Sequence, residues 1–206
     1  MDGFDHPIFS ESVRRIRGWL GDTGLAGVEQ EVLERLVHSS GDLSLGAQLR
    51  FSPGACQAGQ AALARGAVIL TDTAMAAAAV APMARRSFAN RVVSVLDWAP
   101  VLAPEGSTRA AAGLDRALEA HPGAVVLIGS APTALVRLLQ RLAAGATRPA
   151  LVVGMPVGFV GVLESKALLA ASDLPQIRLE GSRGGAGLVA ATANALLRRA
   201  WLDRPG

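Results

Sequence analysis

The sequence predicts an α/β protein, a parallel sheet held between two layers of helix. Three observations carry the prediction. Short runs rich in Val, Ile and Leu recur five times between residues 67 and 179, and the first, Ala67–Thr71, is continuously apolar up to its last residue, as in strands buried on both faces. Each run is followed, after a few residues, by a stretch with helical spacing, the pattern of right-handed βαβ units. Residues 1–65 carry helical periodicity but no clear run of that kind. The expected organisation is one domain over residues 1–206: a helical N-terminal segment at 1–65 and a five-stranded βα core at 66–206. A chain of 206 residues, half of them apolar and 18% charged, is long enough to bury such a core.

Taken in order, Ile8–Leu20 reads as a helix, because Ile8, Phe9, Val13, Ile16 and Leu20 recur near helical spacing with arginines between them. Gly21–Gly24 breaks it. A second helix, about Val28–His38, buries Val28, Val32, Leu33, Leu36 and Val37, and at about 100° per residue Glu31, Arg35 and His38 share its other side. Ser39-Ser40-Gly41 ends it. Asp42–Phe51 is ambiguous, Pro53-Gly54 turns, and Ala55–Arg65 is an Ala-rich helix. Then strands alternate with helices: strand Ala67–Thr71, helix Met75–Ala84, strand Arg91–Leu96, helix Gly106–Ala120, strand Ala124–Gly129, helix Pro132–Ala144, strand Ala150–Gly154, helix Val160–Ala171, strand Gln176–Leu179 and helix Gly187–Trp201. Five parallel strands with five helices suggest a flavodoxin-like sandwich with strand order 2-1-3-4-5.

Composition narrows the function classes. Aromatic residues make up 4% with no Tyr, which disfavours the stacking platforms of single-strand nucleic-acid binders, and no basic run forms a nucleic-acid stripe. The net charge is only +3, yet Lys166 is the one lysine among 20 basic residues. Genomic base composition accounts for such a bias; so does a need for planar guanidinium forks on carboxylates or phosphates. A single cysteine, Cys56, leaves no internal disulfide and no Cys-cluster metal site. The N-terminus has neither the basic start nor the apolar run of a signal peptide, and the small-apolar run Ala74–Ala81 is too short to span a bilayer. A soluble, cytoplasmic protein is expected.

In an open parallel sheet, ligands bind beyond the C-terminal strand ends. The residues there are mostly small, leaving room for a bulky ligand and exposing helix N-termini to its anions. The segment GSRGGAG at 181–187 does not qualify as a dinucleotide loop: it follows the last strand, its glycine spacing departs from G-x-G-x-x-G, and no ribose-binding acid lies about 20 residues on. A Walker A loop and a G-x-S-x-G elbow are absent. His6 and His121 look incidental. His38, at a helix C-terminus beside Arg35, reads either as a capping histidine, favoured as imidazolium by the helix dipole, or as an acid–base group. Arg35 reads by itself as an i,i+4 partner of Glu31, Ser12 as a solvated helix position, and Arg109, poorly placed for the dipole in a first helical turn, as a hint of an anionic partner. Glu164 and Lys166 read as helix-surface charge.

Several longer motifs occur together in one order: Arg35-Leu36-Val37-His38, Phe51-Ser52-Pro53, Gly66–Asp72, Ser107-Thr108-Arg109, Gly129–Leu135, and Gly154–Gly161 followed by Glu164-Ser165-Lys166. On these, nearly the whole chain resembles the precorrin-8X methylmutase (precorrin isomerase) family of cobalamin biosynthesis. The resemblance implies a flavodoxin-like fold and an isomerase that moves a methyl group from C-11 to C-12 on ring C of a corrinoid, giving hydrogenobyrinate, with no redox cofactor and no metal. It places the proton-transferring histidine at His38 and substrate-binding residues at Ser12, Arg35 and Arg109, in a homodimer with shared sites. It leaves open whether the substrate is precorrin-8X or cobalt-precorrin-8, and assigns nothing to Glu164 or Lys166. A non-catalytic tetrapyrrole carrier would need the same pocket. A nucleotide-binding flavodoxin-like enzyme is a third reading, against which the missing phosphate loop counts.

Overall fold

The computed structural model describes residues 4–204; residues 1–3 and 205–206 of the expected domain lie outside the described residues. The chain begins with two helices, α1 (Pro7–Leu20) and α2 (Gly27–Ser40). His6 caps α1 by accepting a hydrogen bond from the Ile8 amide, with Pro7 in the first turn where its missing N–H costs nothing. At the end of α2 the amide of Gly41, at φ 71°, bonds back to the Val37 carbonyl, a left-handed cap that glycine adopts without steric cost. A 3₁₀ turn (Leu43–Ala47), strand β1 (Leu49–Phe51) and α3 (Ala55–Ala64) follow. The remaining elements are β2 (Ile69–Thr71), α4 (Ala74–Arg86), β3 (Val92–Ser94), α5 (Arg109–Ala120), β4 (Val125–Ile128), α6 (Pro132–Ala143), β5 (Leu151–Gly154), α7 (Val162–Ala170), β6 (Gln176–Leu179) and α8 (Ala186–Leu202).

The sheet corrects the expectation of five purely parallel strands. It has six, in the order β1-β6-β5-β4-β2-β3, and it is mixed, because β1 runs antiparallel to β6 with Arg50 opposite Arg178. The stretch that was ambiguous in sequence, Asp42–Phe51, supplies this extra strand. Ser52 fastens its end: its amide donates to the Gln176 carbonyl, and its hydroxyl bridges Leu174 and Gln176. Covering an open edge in this way blunts the template it would offer another chain. Several boundaries also move inward, two of them with a visible cause. β3 stops at Ser94 because the Ser94 hydroxyl accepts from the Leu96 amide and starts a 3₁₀ turn. α5 starts at Arg109 because Thr108 caps it, accepting from the Ala111 amide.

Alternation along the strands builds two cores. Ile69, Val125, Leu127, Leu151, Val153 and Ile177 face a layer made by α1–α4 and α8. Leu70, Val126, Ile128 and Val152 face α5–α7. α8 is the hub of the first layer, and its small buried residues Ala190, Ala193 and Ala195 let neighbouring helices approach closely. The C-terminal end of α2 leads to the β1 edge of the sheet, while α5 follows β3 at the other edge. Five strand spacings separate those edges, roughly 24 Å. No helix among the described residues is long and apolar enough to cross a membrane.

Candidate active site

The site forms where α1 crosses α2. An ion pair fixes the crossing: Glu34, 1% exposed on α2, accepts two hydrogen bonds from Arg17 on α1 at 2.6 and 2.9 Å and a third from Gln30 at 2.9 Å. With the helices so held, the Phe9 ring of α1 becomes a platform. The His38 ring stands perpendicular to it with centroids 5.2 Å apart. The guanidinium of Arg35 lies 4.8 Å from its centroid and that of Arg198, from α8, lies 5.7 Å away, within the reach of a cation–π contact. One turn beyond Phe9, the Ser12 hydroxyl is 2.9 Å from Nδ1 of His38.

Ser12, Arg35 and His38 are therefore brought together. Arg109 is not: it opens α5 in the other helical layer, is exposed, and donates from Nε to the Pro100 carbonyl at 3.0 Å. Phe9 and Arg198 complete the cluster, and neither was singled out in the sequence. By spacing alone Phe9 belongs to the apolar stripe of the first helix; its place three residues before Ser12, on the same face, is the available signal. Arg198 carried no local signal.

Two electrostatic features correct the local reading. Glu31 does not pair with Arg35. Its carboxylate is taken by Arg198 at 3.0 Å and Arg199 at 3.2 Å, and Arg198 is further held by Asp5. Arg35 is left with no ion pair among the described residues, and its Nε is buried without a hydrogen-bond partner. Burial and the charge of Arg198 both press against its ionisation. Second, the helix dipole does not decide the state of His38. Partial burial, and then the charge of Arg35, lower its pKa from the ordinary 6.5, so the imidazole is neutral at pH 7. Nδ1 is engaged by Ser12, and the exposed ring has its second nitrogen, Nε2, free of hydrogen bonds among the described residues. A neutral imidazole so held can take or give a proton at Nε2 by exchanging tautomers against the hydroxyl.

Two hollows flank the cluster. A cavity of about 230 Å³ between α1, α2 and α8 is lined by Phe9 and Val13, by four arginines, Arg17, Arg35, Arg198 and Arg199, and by the carboxylates Asp5, Glu31 and Glu34. An open groove of about 620 Å³ runs along the outer face of α1 past Ile8, Ser12, Arg15 and Trp19. A third hollow, about 560 Å³, lies at the strand ends between the first turns of α5 and α6 and includes Ser107, Thr133 and Val160. The GSRGGAG loop passes the end of α2, where Arg183 donates to Asp42 at 2.8 Å.

The cluster thus sets a hydroxyl-bound imidazole one helical turn from an arginine that has no ion pair among the described residues. The comparisons with known proteins give the family. The model of the precorrin-8X methylmutase family matches residues 7–199. The precorrin-8X methylmutase of Pseudomonas aeruginosa is 45% identical, over 92% of this chain and 93% of its own. The cobalt-precorrin-8 methylmutase of Synechocystis sp. is 38% identical, over 97% and 98%. The crystal structure of a precorrin-8X methylmutase from Thermus thermophilus superposes with a TM-score of 0.85 at 41% identity, covering 94% of this chain and 95% of that one. The chain belongs to the precorrin-8X methylmutase family, and it is an isomerase, a methylmutase of cobalamin biosynthesis.

Proposed function

We propose that this enzyme moves the C-11 methyl group of precorrin-8X, or of cobalt-precorrin-8, to C-12 and so forms the corrin hydrogenobyrinate or its cobalt counterpart, with His38 as the proton-transferring residue. The observation that carries the assignment of residues is the guanidinium of Arg35, without an ion pair among the described residues, one helical turn from the serine-bound imidazole of His38. The substrate is a large apolar ring with several carboxylate arms. The 230 Å³ cavity beside Arg35 is smaller than the 300–1,000 Å³ of whole-ligand pockets. It suits one arm, while the ring lies over the open face of α1 and α2 beside Ser12 and His38. Pairing with a carboxylate relieves the burial and like-charge repulsion at Arg35. His38 then selects the tautomer from which the methyl group migrates; the rearrangement is internal to the substrate, and the protein supplies only binding and a proton path.

Ser12 acts through His38, aiming the ring and serving either tautomer as donor or acceptor, as well as bordering the substrate. Ser12→Ala is expected to lower kcat by about 10-fold with a smaller change in KM, measured by steady-state absorbance. Full kcat in that variant removes the hydroxyl from the proton path.

Arg109 acts across a homodimer, at the site of the other subunit. Its position at the far sheet edge from α2 supports this. So do Val101, Leu102, Phe159 and Val160, each at least 80% exposed on loops at the strand ends, which is the kind of apolar rim an interface covers. A mixture of His38→Ala and Arg109→Ala chains, refolded together, is expected to regain activity that neither has alone; no recovery contradicts shared sites.

Incubation with precorrin-8X and with cobalt-precorrin-8, followed by absorbance, tests the function itself. Conversion to a corrin spectrum is expected for at least one. A binding shift with the chromophore unchanged is the outcome of a carrier.

A further inference from the structure

Lys166 is the only lysine of the chain, yet it is 3% exposed on α7. A buried ammonium is costly unless its protons are used. No carboxylate meets it among the described residues; instead Nζ donates to two backbone carbonyls of the GSRGGAG loop, Gly181 at 2.7 Å and Arg183 at 2.6 Å. Burial pushes its pKa down to about 8, as expected for a cation held by carbonyl dipoles alone. The same loop is pressed against the other strand ends. A Cβ added at Gly184 would stand 1.9 Å from the Met155 carbonyl oxygen, and one at Gly129 would stand 2.7 Å from the backbone of Gly185. The Gly185 amide donates to that Met155 carbonyl at 2.9 Å. From this loop the Arg183 side chain reaches outward to Asp42 at 2.8 Å and to Ser44. Asp42 follows Gly41, the residue that caps α2, and lies four positions after His38.

We infer that Lys166 is a positioning residue: it clamps the 181–185 loop so that Arg183 holds Asp42 and Ser44, and with them the end of the helix that carries His38. The inference rests on the assignment of proton transfer to His38. The hydrogen bonds of Lys166 go to the loop and none to Phe9, Ser12, Arg35 or His38, so its effect travels through the loop. Displacing a reacting group by about 1 Å can cost 10²-fold in rate, and a loop freed from two charge-assisted bonds allows such a displacement.

The test is a double-mutant cycle on the full-length protein with precorrin-8X as substrate. Lys166→Met is expected to lower kcat by about 10- to 100-fold with KM within about threefold, and Arg183→Ala by about 10-fold. The double variant is expected to be no slower than Lys166→Met, because both changes break one path. If Lys166→Met does not fold by circular dichroism, Lys166→Gln, which keeps amide donors, takes its place with a smaller loss. Additive losses, or wild-type kcat in a folded Lys166 variant of lowered Tm, overturn the inference and leave Lys166 as a stability element. A His38→Ala control separates the two layers: if that variant turns over fully, the assignment to His38 has failed; if it is inactive and the cycle is additive, only the clamp has failed.

Discussion

His38→Ala is expected to lose about 10²- to 10⁴-fold in kcat, the range of a positioned acid–base group, while keeping its fold and most of its affinity. The side chain is partly exposed at the end of α2, where it meets the Ser12 hydroxyl and stands perpendicular to the Phe9 ring. Removing it therefore opens no core cavity, and a loss of activity cannot be laid to unfolding. The pH dependence carries a second signature. Burial and Arg35 both disfavour the imidazolium, so the neutral, competent form persists below the ordinary pKa of 6.5. The acid limb of kcat/KM should have its midpoint below that value. An acid limb centred above it would mean that the helix dipole, not burial and Arg35, governs the ring.

Arg35→Ala is expected to weaken substrate binding by about 10- to 100-fold, since a charge-assisted hydrogen bond contributes about 1.5–3 kcal/mol and each 1.4 kcal/mol is tenfold. Arg35 has no ion pair of its own to lose, so the folded enzyme gives up little stability. The same substitution takes away the charge that lowers the pKa of His38, and the acid limb should move up, towards 6.5. Equilibrium titration of precorrin-8X by absorbance reads the first effect and the pH profile the second. Unchanged affinity would remove Arg35 from the site.

The parallel strands and their helices were legible because the central strands are continuous apolar runs, as at Val125–Ile128 and Leu151–Gly154, and because strand and helix patterns alternate through β6. β1 was not, because Leu-Arg-Phe, with a half-buried arginine at its centre, stands outside the alternation of strand and helix. Such a strand is defined by its partner β6 and by Ser52, not by its own pattern. At the site, the spacing of Arg35 and His38 on one helical face was readable from α2 alone. The freedom of Arg35 was not: Glu31 stands at the right spacing to pair with it, and only the arrival of Arg198, 167 positions later, takes that carboxylate away. The bond from Ser12 to His38 spans 26 positions and depends on the Arg17–Glu34 pair that sets the crossing of α1 and α2. Lys166 read as surface charge for the same reason: its loop partners lie 15 and 17 residues downstream.

The central claim is a division of labour across one turn of α2, with Arg35 binding and His38 moving the proton. Measuring Kd and single-turnover rate for precorrin-8X with both alanine variants tests it most directly. The claim predicts that His38→Ala keeps Kd within a few-fold of the wild type and loses turnover, whereas Arg35→Ala loses affinity and turns over at a near-normal rate once saturated. The reverse pattern, or equal loss of both quantities in both variants, would contradict it.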